Sequence, residues 1–201
     1  MSAAPGVASG TYGWMGRVLR IDLTTREVAD HPWSADDRRT WVGGKVMAAR
    51  ILGEMVPEAV DPLGRDNVVV IATGPLTGAG APSSARFDVS AISPMTGLLA
   101  SSNSGGPFGT YLKRAGYDAL VLTGASDRPV WLEVNEDGVI FHEAGDVWGA
   151  RTSEAQAAMT ETVGRRCGTL AIGPAGEPLV RYACVISGER AAGRAGMGAV
   201  L

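Results

Sequence analysis

The sequence has little of what disulfide scaffolds, nucleic-acid binders and membrane proteins require. Only two cysteines occur in 201 residues, Cys167 and Cys184, too few for a disulfide framework or a local metal cluster. Lysine and arginine number 18 against 21 acidic residues, so no basic excess is available to neutralise a nucleic-acid backbone. The longest apolar run, residues 68–72, is far too short to span a membrane. We therefore expect a cytoplasmic protein with no nucleic-acid partner, no membrane span, and reduced, buried thiols.

The signatures of common catalytic sites are also missing. Gly44-Lys45 lacks the earlier glycine and the following hydroxyl residue of a phosphate-binding loop, and residues 193–198 have the wrong glycine order for a dinucleotide fingerprint. His31 and His142 have no second metal ligand at a suitable spacing, so we expect surface or capping histidines. The chain's own inventory predicts no catalytic residue.

Glycine is the residue in excess, with 28 copies against a usual share of roughly 7%. Many short apolar segments alternate with turn residues, and few stretches have helical spacing, which favours an α+β fold with much antiparallel sheet. Residues 1–12 predict a flexible tail and residues 13–201 a domain. Ser34 and Asp37 predict a capping box, and a core face on the second helix is expected at Val46, Ala49, Ile51 and Leu52. Strands are expected at 16–22, 27–30, 67–73, 87–93, 98–100, 119–123, 130–134, 139–143, 169–172 and 180–187, and helices from Ser34 and at 45–55, 108–114 and 153–163.

Two parts of the sequence resemble each other. Residues 72–78 are similar to residues 171–176, and residues 86–93 are similar to residues 181–187. In each half of the chain, a glycine-rich loop follows the two segments. The first glycine loop is at residues 102–106 and the second glycine loop is near residues 190–198. Two matches in the same order indicate a duplicated unit, whose loops would face each other across a groove.

The two loops are suited to an anionic ligand. The first glycine loop, with Asn103, Gly105 and Gly106, leads into a helix whose free N–H groups would point outward. The second adds Arg190 and Arg194, and Arg86 precedes a buried strand, where an unpaired guanidinium would be costly. Two alternatives stay open: each loop is an ordinary turn, or the arginines pair with acids such as Asp88 and Glu189.

Blocks of the sequence together resemble the N-terminal domain of the tungsten-containing aldehyde ferredoxin oxidoreductase family. The resemblance runs from Gly13 to Leu201. The blocks that carry it are residues 16–23, 74–78, 93–97, 103–109, 113–119, 172–177 and 190–200.

The resemblance implies a base of two β-sheets related by a pseudo-two-fold axis, with a few short helices, on which a tungsten (or molybdenum) bis-pterin cofactor sits. It implies a magnesium ion that bridges the pterin phosphates and is bound by the backbone carbonyls of Asn103 and Ala191. Arg86 would lie between a pterin and an iron–sulfur cluster. The pterins would be surrounded by Gly105, Gly106, Arg190, Gly193 and Arg194.

Family members are longer, and their later domains hold the [4Fe–4S] cysteines and the catalytic acid and histidine, none of which matches a residue here. The chain is therefore expected to be a fragment, a truncated product or one subunit of a split enzyme, inactive alone. The expected function is to hold the cofactor of an enzyme that oxidises aldehydes to carboxylic acids. Ferredoxin or another electron-transfer subunit, and a second chain with the cluster and catalytic residues, would be its partners. The alternative is a non-catalytic binding or assembly module, or a relic.

Overall fold

The computed structural model describes residues 12–145 and 147–201, so the expected tail at residues 1–12 falls almost entirely outside the described residues. No helix in these ranges is long and apolar enough to cross a membrane. The strands are β1 Val18–Asp22, β2 Val28–His31, β3 Val69–Thr73, β4 Phe87–Ile92, β5 Leu99–Ser104, β6 Ala119–Thr123, β7 Val130–Asn135, β8 Gly138–Glu143, β9 Val185–Ser187 and β10 Arg190–Ala192. The helices are α1 Ala35–Trp41, α2 Gly44–Met55, α3 Phe108–Arg114, α4 Thr152–Val163, α5 Gly173–Gly176 and α6 Met197–Val200.

Six strands form one mixed sheet in the order β2-β1-β6-β3-β4-β5. Every neighbouring pair is antiparallel except β1 and β6, which are parallel. β7 pairs with β8, and β9 with β10, in two separate two-stranded sheets. The α+β class with short helices is confirmed; the strands divide among these three sheets.

The central strands β3 and β6 of the six-stranded sheet are buried on both faces. On one face, α2 packs against Val70 and Val121. On the other, Ile71 and Leu120 belong to a core that also includes Met197, at the start of α6. Burying each such side chain contributes about 1.5–3 kcal/mol, so these two layers hold β3 and β6 in place. β4 pairs with β3 and β5 with β4, so their positions follow from that of β3.

The core face of α2 differs from the expected one. The buried residues are Met47, Ala48, Ile51 and Leu52, whereas Val46 is 45% exposed and Ala49 is half-buried. Positions 47, 48, 51 and 52 form one stripe at helical spacing, and Val46 lies beside it. The capping box at Ser34 and Asp37 is confirmed, with Ser34 Oγ accepting from Asp37 N at 3.0 Å.

The last two expected strands are only partly formed. Within residues 169–172, Ala171 alone pairs, through a bridge to Ile186, and the strand expected over 180–187 is reduced to β9. Conversely, β10 lies in the expected second glycine loop, and residues 102–104 extend β5 into the first. A strand needs a ladder of successive pairs, and residues 169–172 form only the single bridge from Ala171 to Ile186.

Candidate functional site

The two glycine loops lie together, as the duplication predicts. Arg194 N donates to Ser102 Oγ at 3.0 Å, which joins residues 92 positions apart. The loops are carried by β5 and β10, and each of these is an edge strand of its sheet. We call Arg86, residues 103–106 and residues 190–194 the double-loop site.

Gly105 lies beneath two arginine side chains. A Cβ added there would be 3.3 Å from Arg190 Cδ and 3.6 Å from Arg86 Nη1. The neighbouring Gly106 has φ +102°, and its Cβ would lie 3.1 Å from both the carbonyl oxygen and Oγ of Ser187. Ser187 is 1% exposed, and its hydroxyl has no hydrogen-bond partner among the described residues. The loop therefore needs glycine here because protein atoms approach its backbone closely.

Three positive charges at the double-loop site are free of carboxylates. Arg86, Arg190 and Arg194 are exposed, and none lies within 4.0 Å of an acid in the described parts of the chain. Arg86 precedes the buried strand β4 but is itself exposed, and the carboxylate expected as one possible partner is not beside it in the described ranges. The pairings considered with Asp88 and Glu189 are not formed within residues 12–145 and 147–201, so the three guanidinium groups are available to an anion.

The two residues expected to bind magnesium are on the edge strands. Asn103 lies opposite Asp88 in the β4–β5 ladder, and its amide donates to Phe87 O and to Asp88 Oδ1, both at 3.1 Å. Ala191 lies opposite Ile186 in the β9–β10 ladder. Edge strands leave alternate carbonyl groups without a ladder partner. A Cβ at Gly193 would be 3.7 Å from both Ala191 Cβ and Cys184 Sγ, which are ordinary van der Waals contacts.

Residues 18–201 match the family described as aldehyde ferredoxin oxidoreductase, N-terminal domain. The chain belongs to the aldehyde ferredoxin oxidoreductase family. Two relatives are the tungsten-containing aldehyde ferredoxin oxidoreductases of Thermococcus kodakarensis, 44% identical over 193 residues, and Pyrococcus furiosus, 40% identical over 192 residues. Each alignment covers 94% of this chain and 32% of the relative, so the chain spans about a third of their length.

A more distant relative and a solved structure extend the comparison. The aliphatic sulfonate oxidoreductase, WOR-like subunit, of Pyrococcus furiosus is 31% identical over 207 residues, with 94% of this chain and 33% of that protein covered. The active-site complex BamBC of benzoyl coenzyme A reductase, in complex with 1,5-dienoyl-CoA, superposes with a TM-score of 0.91 at 35% identity, over 94% of this chain and 29% of that one. The family resemblance carried by the sequence blocks is confirmed, and the first two relatives are tungsten-containing oxidoreductases, as the resemblance implied.

Three residues of the site were missed by sequence reasoning. Asp88 Oδ1 accepts from Asn103 and from Ser101 Oγ, at 3.1 and 3.3 Å, and so holds β5 against β4. Ser102 joins the two loops, and Ser187 lies under Gly106. The register of the ladder would have predicted Asp88, since it lies directly opposite Asn103.

One sizeable cavity lies away from the double-loop site. It has a volume of about 760 Å³ and is lined by β7, residues 169–172, α4 and the six-stranded sheet, and none of the eight candidate residues lines it. The double-loop site is open surface, consistent with a ligand covered from its other side. The cysteines are free and half-buried rather than buried, and no cluster of three metal-ligating side chains occurs in the described part of the chain.

Proposed function

We propose that this chain holds a tungsten or molybdenum bis-pterin cofactor within an oxidoreductase that converts aldehydes to carboxylic acids and passes electrons to ferredoxin. The single observation that carries the proposal is the approach of Arg86 and Arg190, both free of carboxylates, to the backbone at Gly105, with Arg194 joined to Ser102 of the same loop through its N–H. Family membership and the relatives named as tungsten-containing support this choice of ligand.

The residues present fit such a group. Phosphates are best bound by guanidinium forks and main-chain N–H groups, and glycine lets them approach the backbone. A magnesium ion prefers hard oxygen donors, and the edge strands at Asn103 and Ala191 provide carbonyl oxygens from both halves of the site. When bound, the cofactor supplies a redox-active metal held by its own sulfur atoms.

The chain's own residues then have distinct tasks. Arg190 and Arg194 bind the phosphates from the second loop, while Gly105, Gly106 and Gly193 form the loop backbone beside which the pterins lie. Arg86, on the first half, balances the negative charge beside Gly105. Asn103 and Ala191 hold the magnesium ion through their carbonyls, and the Asp88 side chain keeps Asn103 in position.

The electron path needs groups beyond these residues. The described chain holds two separate half-buried cysteines, so we propose that the [4Fe–4S] cluster and the catalytic acid are provided by other domains or by a partner chain, with ferredoxin as acceptor. The relatives are long enough to contain such domains, because this chain spans 32% of them.

The test is the metal and pterin content of the protein purified from its own host. We expect tungsten or molybdenum together with pterin, and iron from the co-purifying cluster-bearing part. Arg190→Gln with Arg194→Gln should lower the cofactor content about 100-fold or more, because hydrogen bonds to charged groups contribute about 1.5–3 kcal/mol each.

Arg39→Gln is the matched control, since Arg39 is exposed, pairs with Asp36 and is not part of the double-loop site, and should leave the content unchanged. Equal cofactor content in all three proteins would exclude the double-loop site. Protein with neither metal nor pterin would favour a binding or assembly module instead.

A further inference from the structure

The turn of the β9–β10 hairpin is held by one buried side chain of α4. Gln156 is 8% exposed, and its amide group bonds both main-chain groups of Gly188. The Gly188 N–H donates to Gln156 Oε1 at 2.7 Å, and Gln156 Nε2 donates to the Gly188 carbonyl oxygen at 3.3 Å. Thr169 Oγ1 also donates to Oε1, at 2.7 Å, so both acceptor positions of this oxygen are used and the orientation of the amide is fixed.

This turn lies against the first glycine loop. Gly188 follows Ser187, which is the last residue of β9 and lies opposite Arg190 in the ladder. A Cβ added to Gly106 would be 3.1 Å from the Ser187 carbonyl oxygen, and one added to Gly105 would be 3.3 Å from Arg190 Cδ. The position of the turn therefore decides how Arg190 meets the first loop.

The hairpin has few main-chain contacts of its own. β9 and β10 pair along three residues, and one isolated bridge joins Ile186 of β9 to Ala171. A two-stranded hairpin without further support is marginally stable. Within the described ranges, no group other than the Gln156 amide bonds the main chain of Gly188. These two hydrogen bonds therefore set the position of the turn relative to α4.

A similar arrangement in the first half gives a matched comparison. Asn67 is 5% exposed, and its amide bonds the carbonyl oxygen and the N–H of Ile92, the last residue of β4, at 3.0 and 3.2 Å. Arg86 precedes β4, so Asn67 acts at the opposite end of that strand from Arg86. Gly188, by contrast, is two residues from Arg190. Of the two amide contacts, the one in the second half is therefore next to a candidate ligand-binding residue.

We propose that Gln156 is a positioning residue of the double-loop site, which acts through Gly188 and holds Arg190 and Ala191 in place before a ligand binds. The free energy cost of ordering the second loop on binding is lower when its turn is already held. The identity of the ligand rests on the proposed function. The hydrogen bonds to Gly188, however, belong to this chain alone, so their effect can be measured without cofactor.

The test compares the chain with four variants. Gln156→Met keeps most of the side-chain volume and removes the three hydrogen bonds, whereas Gln156→Glu keeps an oxygen that accepts from Gly188 and Thr169. Thr169→Val is milder, because it frees the amide to turn but leaves both bonds to Gly188 possible. Asn67→Leu is the matched control, since it removes the buried amide of the first half that makes the same pattern of bonds.

Two quantities are measured on each protein, with Tm as the measure of overall stability. The first is hydrogen exchange of the Arg190 and Ala192 amides in the β9–β10 ladder, in protein produced without tungsten or molybdenum. Each rate is expressed relative to that of the Val121 amide in buried β6, which reports global unfolding. The second is the pterin content of protein purified from its own host. Local exchange and rescue by Gln156→Glu distinguish positioning from a merely structural role.

In Gln156→Met, we expect the two β10 amides to exchange about tenfold faster and the pterin content to fall about threefold, because the hairpin loses the bonds at its turn. Gln156→Glu should recover most of both values, and Thr169→Val should show a smaller change of the same sign. Asn67→Leu should lower Tm and leave both quantities unchanged.

Four results would each overturn the proposal. They are unchanged exchange in both Gln156→Met and Thr169→Val, an equal effect of Asn67→Leu, no recovery in Gln156→Glu, and faster exchange with unchanged pterin content. Faster exchange in Gln156→Met, with no pterin even in the unsubstituted chain, would instead support the positioning of the turn and contradict the proposed function.

Discussion

Removing the buried charge of Lys113 is expected to destabilise the protein severely. The Lys113 and Asp118 side chains are 7% and 2% exposed, and Lys113 Nζ lies 2.5 Å from Asp118 Oδ1. The ammonium group also donates to Gly13 O at 2.6 Å, and the carboxylate accepts from Met15 N and Gly16 N, at 3.0 and 2.8 Å. The pair thus attaches the N-terminal segment to α3 and to the start of β6.

The expected magnitude follows from burial. Lys113→Met leaves the Asp118 carboxylate buried without its counter-charge, which typically costs about 3–5 kcal/mol. For a chain of this size, each kcal/mol lowers Tm by about 2–4 °C, so a fall of about 6–20 °C is expected. Arg39→Met is the control, because the Arg39–Asp36 pair is 74% and 87% exposed and should change the unfolding free energy by no more than about 0.5 kcal/mol.

Urea unfolding and calorimetry measure both variants, and Lys113→Met with Asp118→Leu completes a double-mutant cycle. The double variant should be more stable than Lys113→Met alone, because it no longer buries an unpaired charge. A loss below about 1 kcal/mol for Lys113→Met would refute the reasoning, since it would mean that water reaches the carboxylate and replaces the ammonium group.

Three further predictions concern the site, the acid limb and a helix end. Gly105→Ala should change Tm little, because its neighbours are flexible arginine side chains, but it should lower the cofactor content. By contrast, a Cβ at Gly198 would collide with the Cys184 carbonyl, so Gly198→Ala should lower the free energy of unfolding by about 1–3 kcal/mol. The hydrogen bond from the Thr25 backbone N–H lowers the pKa of Asp22 below 3.8. This carboxylate therefore stabilises the fold above pH 3.8, and the stabilisation is lost as the pH falls through the lowered pKa. Asp22→Asn should remove this loss, so that the unfolding free energy from urea titration falls less steeply at acid pH. Ser34→Ala removes the cap of α1 and should cost about 1 kcal/mol in the same titration, whereas Ser34→Asp should restore most of it.

Elements with complete local signals were predictable from the sequence. The β1–β2 hairpin and β3, β6, α2, α3 and α4 were found within two residues of their ends, because each combines an apolar run or helical spacing with turn residues on both sides. The convergence of the two glycine loops was also predictable, since the repeat places equivalent loops at equivalent positions. The roles of Arg86, Asn103, Ala191 and the other site residues stay predictions.

The errors have a common physical origin in contacts that are distant in the sequence. The apolar pattern at residues 169–172 indicates that the segment can form a strand, but which residues pair with it depends on contacts distant in the sequence. Arg86 precedes a buried strand, yet its burial depends on what covers β5 and the second loop. Val46 has the apolar character of a core residue, and only the position of α2 against β3 places it outside the core stripe.

The two loops of the double-loop site are held by unequal numbers of strand pairs. β5 is hydrogen-bonded into the six-stranded sheet along six residue pairs, whereas β10 pairs along three residues with β9, and Ile186 of β9 makes one further isolated bridge, to Ala171. Arg190 and Ala191 therefore lie on the less firmly held of the two loops, and ordering that loop costs free energy that a ligand must supply.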